Sequence, residues 1–201
     1  MRGVDVGNLQ TKDETVTNME NLEIEIKLSI TGEQFVILKE KFESENLICS
    51  IKEQKDIYFS HSDGNYKTDE NLRIRVEQSK KSLNYKKIFF SENELDTHIK
   101  EYGTEIGDVA QMIQILKSLN ICEVLTIHKF RYKYFYKNRF EISLDQVTGL
   151  GCFIEIEAID SESIQHSNQS LIDILKELNL DTNQRNTNGY ANLMYERIMD
   201  K

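Results

Sequence analysis

A seven-residue stretch near the start of the chain, residues 22–28, alternates strictly between apolar and charged side chains. Successive side chains of a β-strand point to opposite faces of the sheet, so this pattern predicts a strand with one apolar and one charged face. The charged face carries Glu23, Glu25 and Lys27, with no neutral residue among them. Two carboxylates one pleat apart suit a hard divalent cation, and the lysine beside them suits an anion. A solvated edge strand with an ion pair to its neighbour would show the same pattern.

The charged alternation returns in later segments, which gives at least six predicted strands of this kind. Their charged residues include Arg73, Arg75, Lys86, Glu101, Lys129, Arg131, Asp145, Glu155 and Glu157. Helices with apolar stripes are predicted at about residues 33–46, at 108–119 and beyond residue 167. Residues 48–59 are expected to form one strand, or a pair of strands interrupted at residues 52–55.

The charged faces of these strands must contact either water or one another. In an open sheet they would face water, where each cross-strand ion pair stabilises the fold by roughly 0.2–1 kcal/mol. In a sheet closed into a barrel they would line the interior, which would be unstable if it were dry and empty. A wet tunnel that holds metal ions and a polyanion accounts for both signs of charge, because carboxylates bind Mg²⁺ or Mn²⁺ and basic groups bind phosphate oxygens. A solvated sheet explains one such strand easily and six poorly.

Composition restricts the remaining classes of protein. The 201 residues fit one large domain or two small ones, and the hydrophobic fraction of 39% is enough for a core. The formal net charge of −9 argues against a general nucleic-acid partner. The sequence contains no run of about 18 apolar residues, so no membrane span is predicted. The three widely spaced cysteines suit a reducing cytoplasm. Residues 1–20 are polar without a period and are expected to be a flexible tail.

Five motifs, in this order, resemble the CYTH superfamily of triphosphate tunnel metalloenzymes. The resemblance extends over about residues 21–197. Its motifs are an ExExK stretch at Glu23–Lys27, paired arginines at residues 72–75, a lysine at Tyr85-Lys86, a basic pair at residues 129–131, and the form LDxVxxLGxFxExE at residues 144–157. The last motif is most similar to the branch named for class IV adenylyl cyclases. A lone ExExK would be a weak signal, whereas the ordered set is specific.

The resemblance implies an α+β fold over residues 21–201, a closed eight-stranded antiparallel β-barrel with helices packed outside. It implies that one or two ions of Mg²⁺ or Mn²⁺ are held by Glu23, Glu25, Glu155 and Glu157. It implies that the reacting triphosphate is bound by Lys27, Arg73, Arg75, Lys86, Lys129 and Arg131, with Glu101 and Asp145 in supporting contact. A homodimer, common in the resembling branch, is a further option.

One position departs from the resembling family. Members of the resembling family usually carry another glutamate where this chain has Gly103, which removes one inward carboxylate. Glu105 is expected to compensate in part, and restoring the carboxylate by Gly103→Glu is expected to raise activity or metal affinity.

Three functions are compatible with such a tunnel. A class IV adenylyl cyclase would convert ATP to cyclic AMP and pyrophosphate. A triphosphatase would hydrolyse thiamine triphosphate, a nucleoside triphosphate or inorganic tripolyphosphate. A non-catalytic sensor would bind a nucleotide or polyphosphate without turnover, and Gly103 is the feature that favours it. A base pocket would separate the two reactions, and no motif for one is visible in the sequence. The likeness of the closing motif to the cyclase branch tilts the choice slightly toward the cyclase.

Overall fold

The structure is a computed structural model that describes residues 22–62, 69–89, 98–159, 164–181 and 188–199. For Leu22, Glu23, His98 and residues 164–166 it describes the backbone alone. The predicted tail of residues 1–20 lies outside the described residues.

Nine strand segments form one antiparallel sheet. In chain order they are β1 (Leu22–Glu23), β2 (Glu25–Ile30), β3 (Cys49–His61), β4 (Glu70–Glu77), β5 (Lys80–Phe89), β6 (His98–Glu105), β7 (Ile121–Tyr136), β8 (Phe140–Val147) and β9 (Gly151–Ala158). Their order across the sheet is β1-β6-β5-β4-β3-β7-β8-β9-β2. The described residues also form four helices, which are α1 (Gly32–Ser44), α2 (Val109–Ser118), α3 (Ile164–Glu177) and α4 (Tyr190–Met199).

The two edges of this sheet belong to one interrupted strand. β1 pairs with β6, whereas β2, which begins two residues after β1 ends, pairs with β9 on the opposite edge. Ile24 lies between the two segments, and its carbonyl accepts a hydrogen bond from the amide of Ala158. The sheet must therefore curl so that the chain can pass through Ile24 from one edge segment to the other. Counted with β1 and β2 as one strand, it is an eight-strand curled antiparallel sheet.

Alternation along the strands separates a concave face from a convex face. The convex face is apolar: Ile142, Leu144, Ile154 and Ile156 are fully buried beneath the helices. The concave face carries the charged residues of the same strands. Because each strand offers apolar side chains at every second position, helices cover one side of the sheet while the charged side is left for a cavity.

The helices begin where the sequence offers capping residues. Thr31 and Gln34 form a capping box at the start of α1, and the Asp108 side chain accepts a hydrogen bond from the amide of Gln111 at the start of α2. Both helices fall within two residues of the predicted bounds. The α1 residue Phe42 is fully buried and contacts the ring of Tyr134, with 4.9 Å between ring centroids.

The predicted interruption at residues 52–55 is wrong. β3 runs without a break from Cys49 to His61 and pairs with β7 along its whole length. The charged run continues the alternation, since Glu53 and Lys55 are exposed whereas Gln54 is buried on the concave face.

One helix differs from the others in its position. α4 packs with Tyr190 and Ala191 against Tyr58, Ile127 and Phe153. Each of these three partners lies two residues from a charged residue of the concave face on its own strand, so its side chain points to the same face. α4 therefore lies against the concave face. It covers part of the face that the other helices leave open.

Candidate active site

The concave face encloses a cavity of about 420 Å³. Seven basic side chains line it: Lys27, Arg73, Arg75, Lys86, Lys129, Arg131 and Lys133. Five glutamates line it as well: Glu25, Glu101, Glu141, Glu155 and Glu157. The structure thus brings together every predicted basic residue, and the cations and carboxylates come from seven different strands.

A buried aspartate anchors the first pair of cations. Asp145 has no exposed surface, and its two carboxylate oxygens accept hydrogen bonds from Nε and Nη2 of Arg131 at 2.8 and 2.6 Å. Lys129 donates to the same carboxylate at 3.2 Å. Burial would raise the pKa of Asp145, but the two cations hold it below its usual range. Asp145 therefore fixes the direction of both basic groups rather than offering itself to a ligand.

A second buried aspartate anchors the next pair. Nε and Nη2 of Arg75 each donate to Asp56 at 2.7 Å, and Arg73 lies 3.8 Å from the same carboxylate. Burial would raise the pKa of Asp56, but the two guanidinium groups hold it well below its usual range. Among the described residues, Nε of Arg73 is buried without a hydrogen-bond acceptor. An anion in the cavity would supply one.

The remaining basic residues pair with glutamates. Lys27 lies 3.2 Å from Glu155 and 3.8 Å from Glu25, and Arg131 lies 3.1 Å from Glu155. Lys86 lies 2.8 Å from Glu101. Burial would raise the pKa of Glu155, but its cationic neighbours hold it well below its usual range, so this carboxylate stays ionised.

Three carboxylates form a row at one end of the cavity. Glu141, Glu157 and Glu25 are direct partners across β8, β9 and β2. Burial, followed by the charges of Glu141 and Glu25, raises the pKa of Glu157 to about 7. Like charges in register destabilise each other, so a cation bound among them would relieve that repulsion.

The donor set fits a small hard cation. Mg²⁺ is commonly held by one or two carboxylates together with waters and substrate phosphates, and Glu25 and Glu157 offer such a pair. Among the side chains that the structure describes, no three of Asp, Glu, His or Cys lie close enough to hold a metal by themselves. The side chain of Glu23, a predicted ligand, is not among those described.

The profile of the CYTH domain matches residues 21–190 of the sequence. This chain belongs to the CYTH family.

Individual relatives agree with this assignment. A protein of Methanocaldococcus jannaschii, named provisionally as an adenylate cyclase, is 34% identical over 177 residues, which cover 86% of this chain and 98% of the relative. The solved structure of the PH1819 protein of Pyrococcus horikoshii is 32% identical, with a TM-score of 0.74, and covers 87% of this chain and 99% of that one.

A more distant structure shares the fold. A Hippeastrum protein, described as a provisional adenylyl cyclase with a dominant triphosphatase activity, has a TM-score of 0.60 at 17% identity. The match covers 80% of this chain and 88% of that one. At this identity the likeness concerns the fold alone.

The space beside Gly103, where the resemblance led us to expect a missing carboxylate, is filled by a side chain of a neighbouring strand. A Cβ atom added to Gly103 would lie 2.7 Å from Nδ2 of Asn84, its direct partner on β5. Asn84 donates to Glu101 at 3.1 Å and accepts from Ser82 at 2.8 Å. An asparagine amide thus occupies the space beside Gly103. The expectation for Glu105 is wrong, because that exposed side chain pairs with Lys80 at 3.0 Å and does not line the cavity.

Sequence reasoning missed five residues of this CYTH site: Asp56, Asn84, Lys133, Glu141 and Tyr190. Asp56 lies on the concave face because side chains alternate along β3, and it is the direct partner of Arg75 on β4. A correct pairing of β3 with β4 would have identified it. The same holds for Glu141 opposite Glu157. No periodic signal marks Tyr190, because α4 reaches the concave face only through tertiary packing. Among the described residues, no helix is long and apolar enough to cross a membrane.

Proposed function

We propose that this CYTH protein is a divalent-metal-dependent enzyme that acts on a small-molecule triphosphate inside a closed tunnel. The observation that carries the proposal is the convergence of seven basic side chains on one cavity, with a carboxylate row at one end. The edge strands meeting at Ile24 support closure of the sheet into an eight-stranded barrel.

Charge balance supports a metal-bound substrate. Seven basic groups line the cavity, and the five glutamates together with the buried Asp56 and Asp145 bring the carboxylates to seven. A triphosphate alone would add several negative charges to a site that is already balanced. A divalent ion bound at Glu25 and Glu157 would neutralise part of that charge and polarise the phosphate oxygens. Glu23 and Glu155 are the further ligands that we propose.

The basic side chains of the cavity have distinct proposed roles in binding the phosphates. Arg73, Arg75 and Arg131 present fixed guanidinium groups that bind phosphate oxygens in pairs, because each is oriented by a buried aspartate. Lys27, Lys86 and Lys129 add ammonium donors, and Glu101 holds Lys86 in place. Catalysis by such a site is mostly positioning and electrostatic stabilisation of charge on the transferred group.

Adenylate cyclisation is the first reaction that we propose. The 3′-hydroxyl oxygen of ATP attacks the α-phosphorus, the bond to the bridging oxygen of the β-phosphate breaks, pyrophosphate leaves, and the hydroxyl proton passes to solvent. The name of the archaeal relative and the closing motif of residues 144–157 support this choice.

Triphosphate hydrolysis is the second candidate, and the lining of the cavity favours it. The cavity offers many groups to phosphates, while Ile88, Ile99 and Ala191 are its few aliphatic residues. In this reaction a water oxygen attacks the terminal phosphorus, the bond to the bridging oxygen of the β-phosphate breaks, the diphosphate portion leaves, and orthophosphate and a proton are released to solvent. The triphosphatase activity named for the Hippeastrum protein shows that the fold itself does not choose between the reactions.

Product analysis tests the proposal. The protein is incubated with Mg²⁺ or Mn²⁺ and either ATP, thiamine triphosphate or tripolyphosphate, with Glu25→Ala and Arg73→Ala as inactive controls. Cyclic AMP with pyrophosphate establishes the cyclase, and orthophosphate without a cyclic product establishes the triphosphatase. Binding of the triphosphates without turnover would identify a sensor, and neither binding nor turnover would overturn the proposal.

A further inference from the structure

Tyr190, the first residue of α4, occupies the centre of the basic site. Its side chain is buried, with 4% of its surface exposed, and it lines the cavity. Its hydroxyl donates to Oδ2 of Asp145 at 2.8 Å. Its ring packs edge-on against Phe153, with 4.9 Å between centroids. Tyr190 therefore cannot turn without breaking several buried contacts.

Two ammonium groups lie over the same ring. Nζ of Lys27 is 4.6 Å from the ring centroid of Tyr190, and Nζ of Lys129 is 4.9 Å from it. The two lysines come from β2 and β7, which are not neighbours in the sheet. An aromatic face attracts a cation through its quadrupole, and the attraction is strongest where water is excluded.

The ring contact leaves the hydrogen-bond donors of the lysines available. Each ammonium group carries three N–H donors, and Lys129 donates one of them to Asp145. A contact with carboxylates alone would draw both ammonium groups toward Asp145 and Glu155. A ring face holds the charge without an acceptor atom, so the remaining N–H groups can point to phosphate oxygens.

The hydroxyl of Tyr190 completes the shell of Asp145. That carboxylate accepts from Lys129, from Arg131 and from Tyr190. Both carboxylate oxygens of Asp145 are thereby paired, which keeps this side chain from turning toward the cavity.

We propose that Tyr190 is a positioning residue that holds the ammonium groups of Lys27 and Lys129 in a phosphate-binding arrangement. The proposal rests on the proposed function, because it assigns a role within the same triphosphate site. α4 then completes the anion site from outside the sheet strands.

A second tyrosine of the chain provides a matched control. Tyr136 is also 4% exposed, its hydroxyl donates to Glu177 at 2.7 Å, and Nζ of Lys137 lies 5.4 Å from its ring centroid. Tyr136 packs against Phe42 on the convex face and does not line the cavity. It has the chemistry of Tyr190 without its location.

The first measurement is the affinity for tripolyphosphate in the presence of Mg²⁺, by calorimetry. We expect Tyr190→Leu to weaken binding about tenfold to a hundredfold, because two desolvated cation–π contacts are lost. Tyr190→Phe keeps the ring and should weaken binding no more than about fivefold. Tyr136→Leu should lower thermal stability while leaving the affinity unchanged. Tyr190→Met replaces Tyr190→Leu if the leucine variant does not fold.

The second measurement does not depend on a triphosphate. In protein labelled with ¹³C-lysine, the ring current of Tyr190 should shift the Hε signals of Lys27 and Lys129, which are assigned by Lys→Arg variants. We expect these shifts to persist in Tyr190→Phe and to vanish in Tyr190→Leu. Unshifted signals in the wild-type protein would overturn the proposal.

The two measurements separate failure of this proposal from failure of the proposed function. If the wild-type protein binds tripolyphosphate and Tyr190→Leu binds it equally well, the positioning role is wrong and the proposed function stands. If the wild-type protein binds no triphosphate, the proposed function is wrong, and shifted lysine signals would then describe a packing contact without a role in binding.

Discussion

Single residues on the concave face are held by partners that alternation does not reveal. Gly103 illustrates this, because the space beside it is occupied by the amide of Asn84. A side chain added at Gly103 must displace an amide that bonds to both Glu101 and Ser82. The simple expectation that a restored glutamate improves the site is therefore changed by the structure.

We expect Gly103→Glu alone to destabilise the protein by about 1–3 kcal/mol, because it overfills a packed position. Combining it with Asn84→Ala makes room, so the double variant should recover stability and bind Mg²⁺ more tightly than Asn84→Ala alone. Urea unfolding and calorimetric Mg²⁺ titration measure the two effects. A single variant as stable as the wild type, with raised Mg²⁺ affinity, would show that Asn84 gives way freely.

Lys129 gives the site a dependence on pH. Burial, followed by the charge of Arg131, lowers the pKa of Lys129 to about 7, although Asp145 opposes this. Lys129 is therefore protonated below pH 7 and loses its charge above it. Without a divalent metal, we expect tripolyphosphate to bind about tenfold more tightly at pH 6 than at pH 8, beyond the effect of its own ionisation.

Comparison with variants isolates this lysine, because the ligand titrates identically in every sample. Lys129→Met should remove most of the extra pH dependence and leave the part that comes from Glu157, whose pKa is raised to about 7. Lys133→Met, at another position on the cavity wall, should keep all of it. The measurement is calorimetric affinity between pH 6 and pH 8. An identical pH dependence in wild type and Lys129→Met would contradict the assignment.

At the scale of elements, the helices on the convex face stabilise the sheet without entering the site. α1 contributes Phe42, which is fully buried against Tyr134 and Tyr136. α4 is the exception, since it packs on the concave face and contributes Tyr190 to the cavity. Stability and binding should accordingly respond to different helices.

Phe42→Ala tests the separation. We expect it to lower the free energy of unfolding by about 3–5 kcal/mol, because it leaves a cavity in the core. Tripolyphosphate affinity of the folded protein should change by less than about twofold, since distant sites act independently. Urea unfolding and calorimetry check both, and Val36→Ala, at an exposed position of α1, should cost less than about 0.5 kcal/mol. A large loss of affinity in Phe42→Ala would show that α1 shapes the site.

At the scale of the whole molecule, the balance of charges couples the two ligands. The basic and acidic groups of the cavity are equal in number and share ion pairs, among them Lys27 with Glu155 and Lys86 with Glu101. When a phosphate binds the lysines, their partner carboxylates become available to a metal ion. When a metal ion binds the carboxylates, the lysines become available to a phosphate. Binding of each ligand should therefore strengthen binding of the other.

We expect Mg²⁺ and tripolyphosphate to raise each other's affinity by the same factor, about 5- to 150-fold. Each ligand is titrated with and without saturating amounts of the other, after correction for the complex that they form in solution. Removal of the metal by a chelator should weaken tripolyphosphate binding accordingly. Glu25→Gln should reduce the coupling, and independent binding of the two ligands would contradict a shared site.

The sequence was sufficient to predict most of the strands, their charged faces and most of the basic residues of the candidate site. It could do so because alternation is local: a side chain's face follows from its position in the strand, and Lys129 and Arg131 need no distant partner to point inward. The ordered motifs also identified the family, which the comparisons confirm.

Strand register and helix docking set which polar groups contact one another and which side chains fill the same space. The anchoring of Arg75 by Asp56, the amide beside Gly103 and the position of Tyr190 over two lysines all depend on strand register and helix docking. These contacts join residues far apart in the chain, so their energies depend on burial and distance. Local sequence carries no record of either.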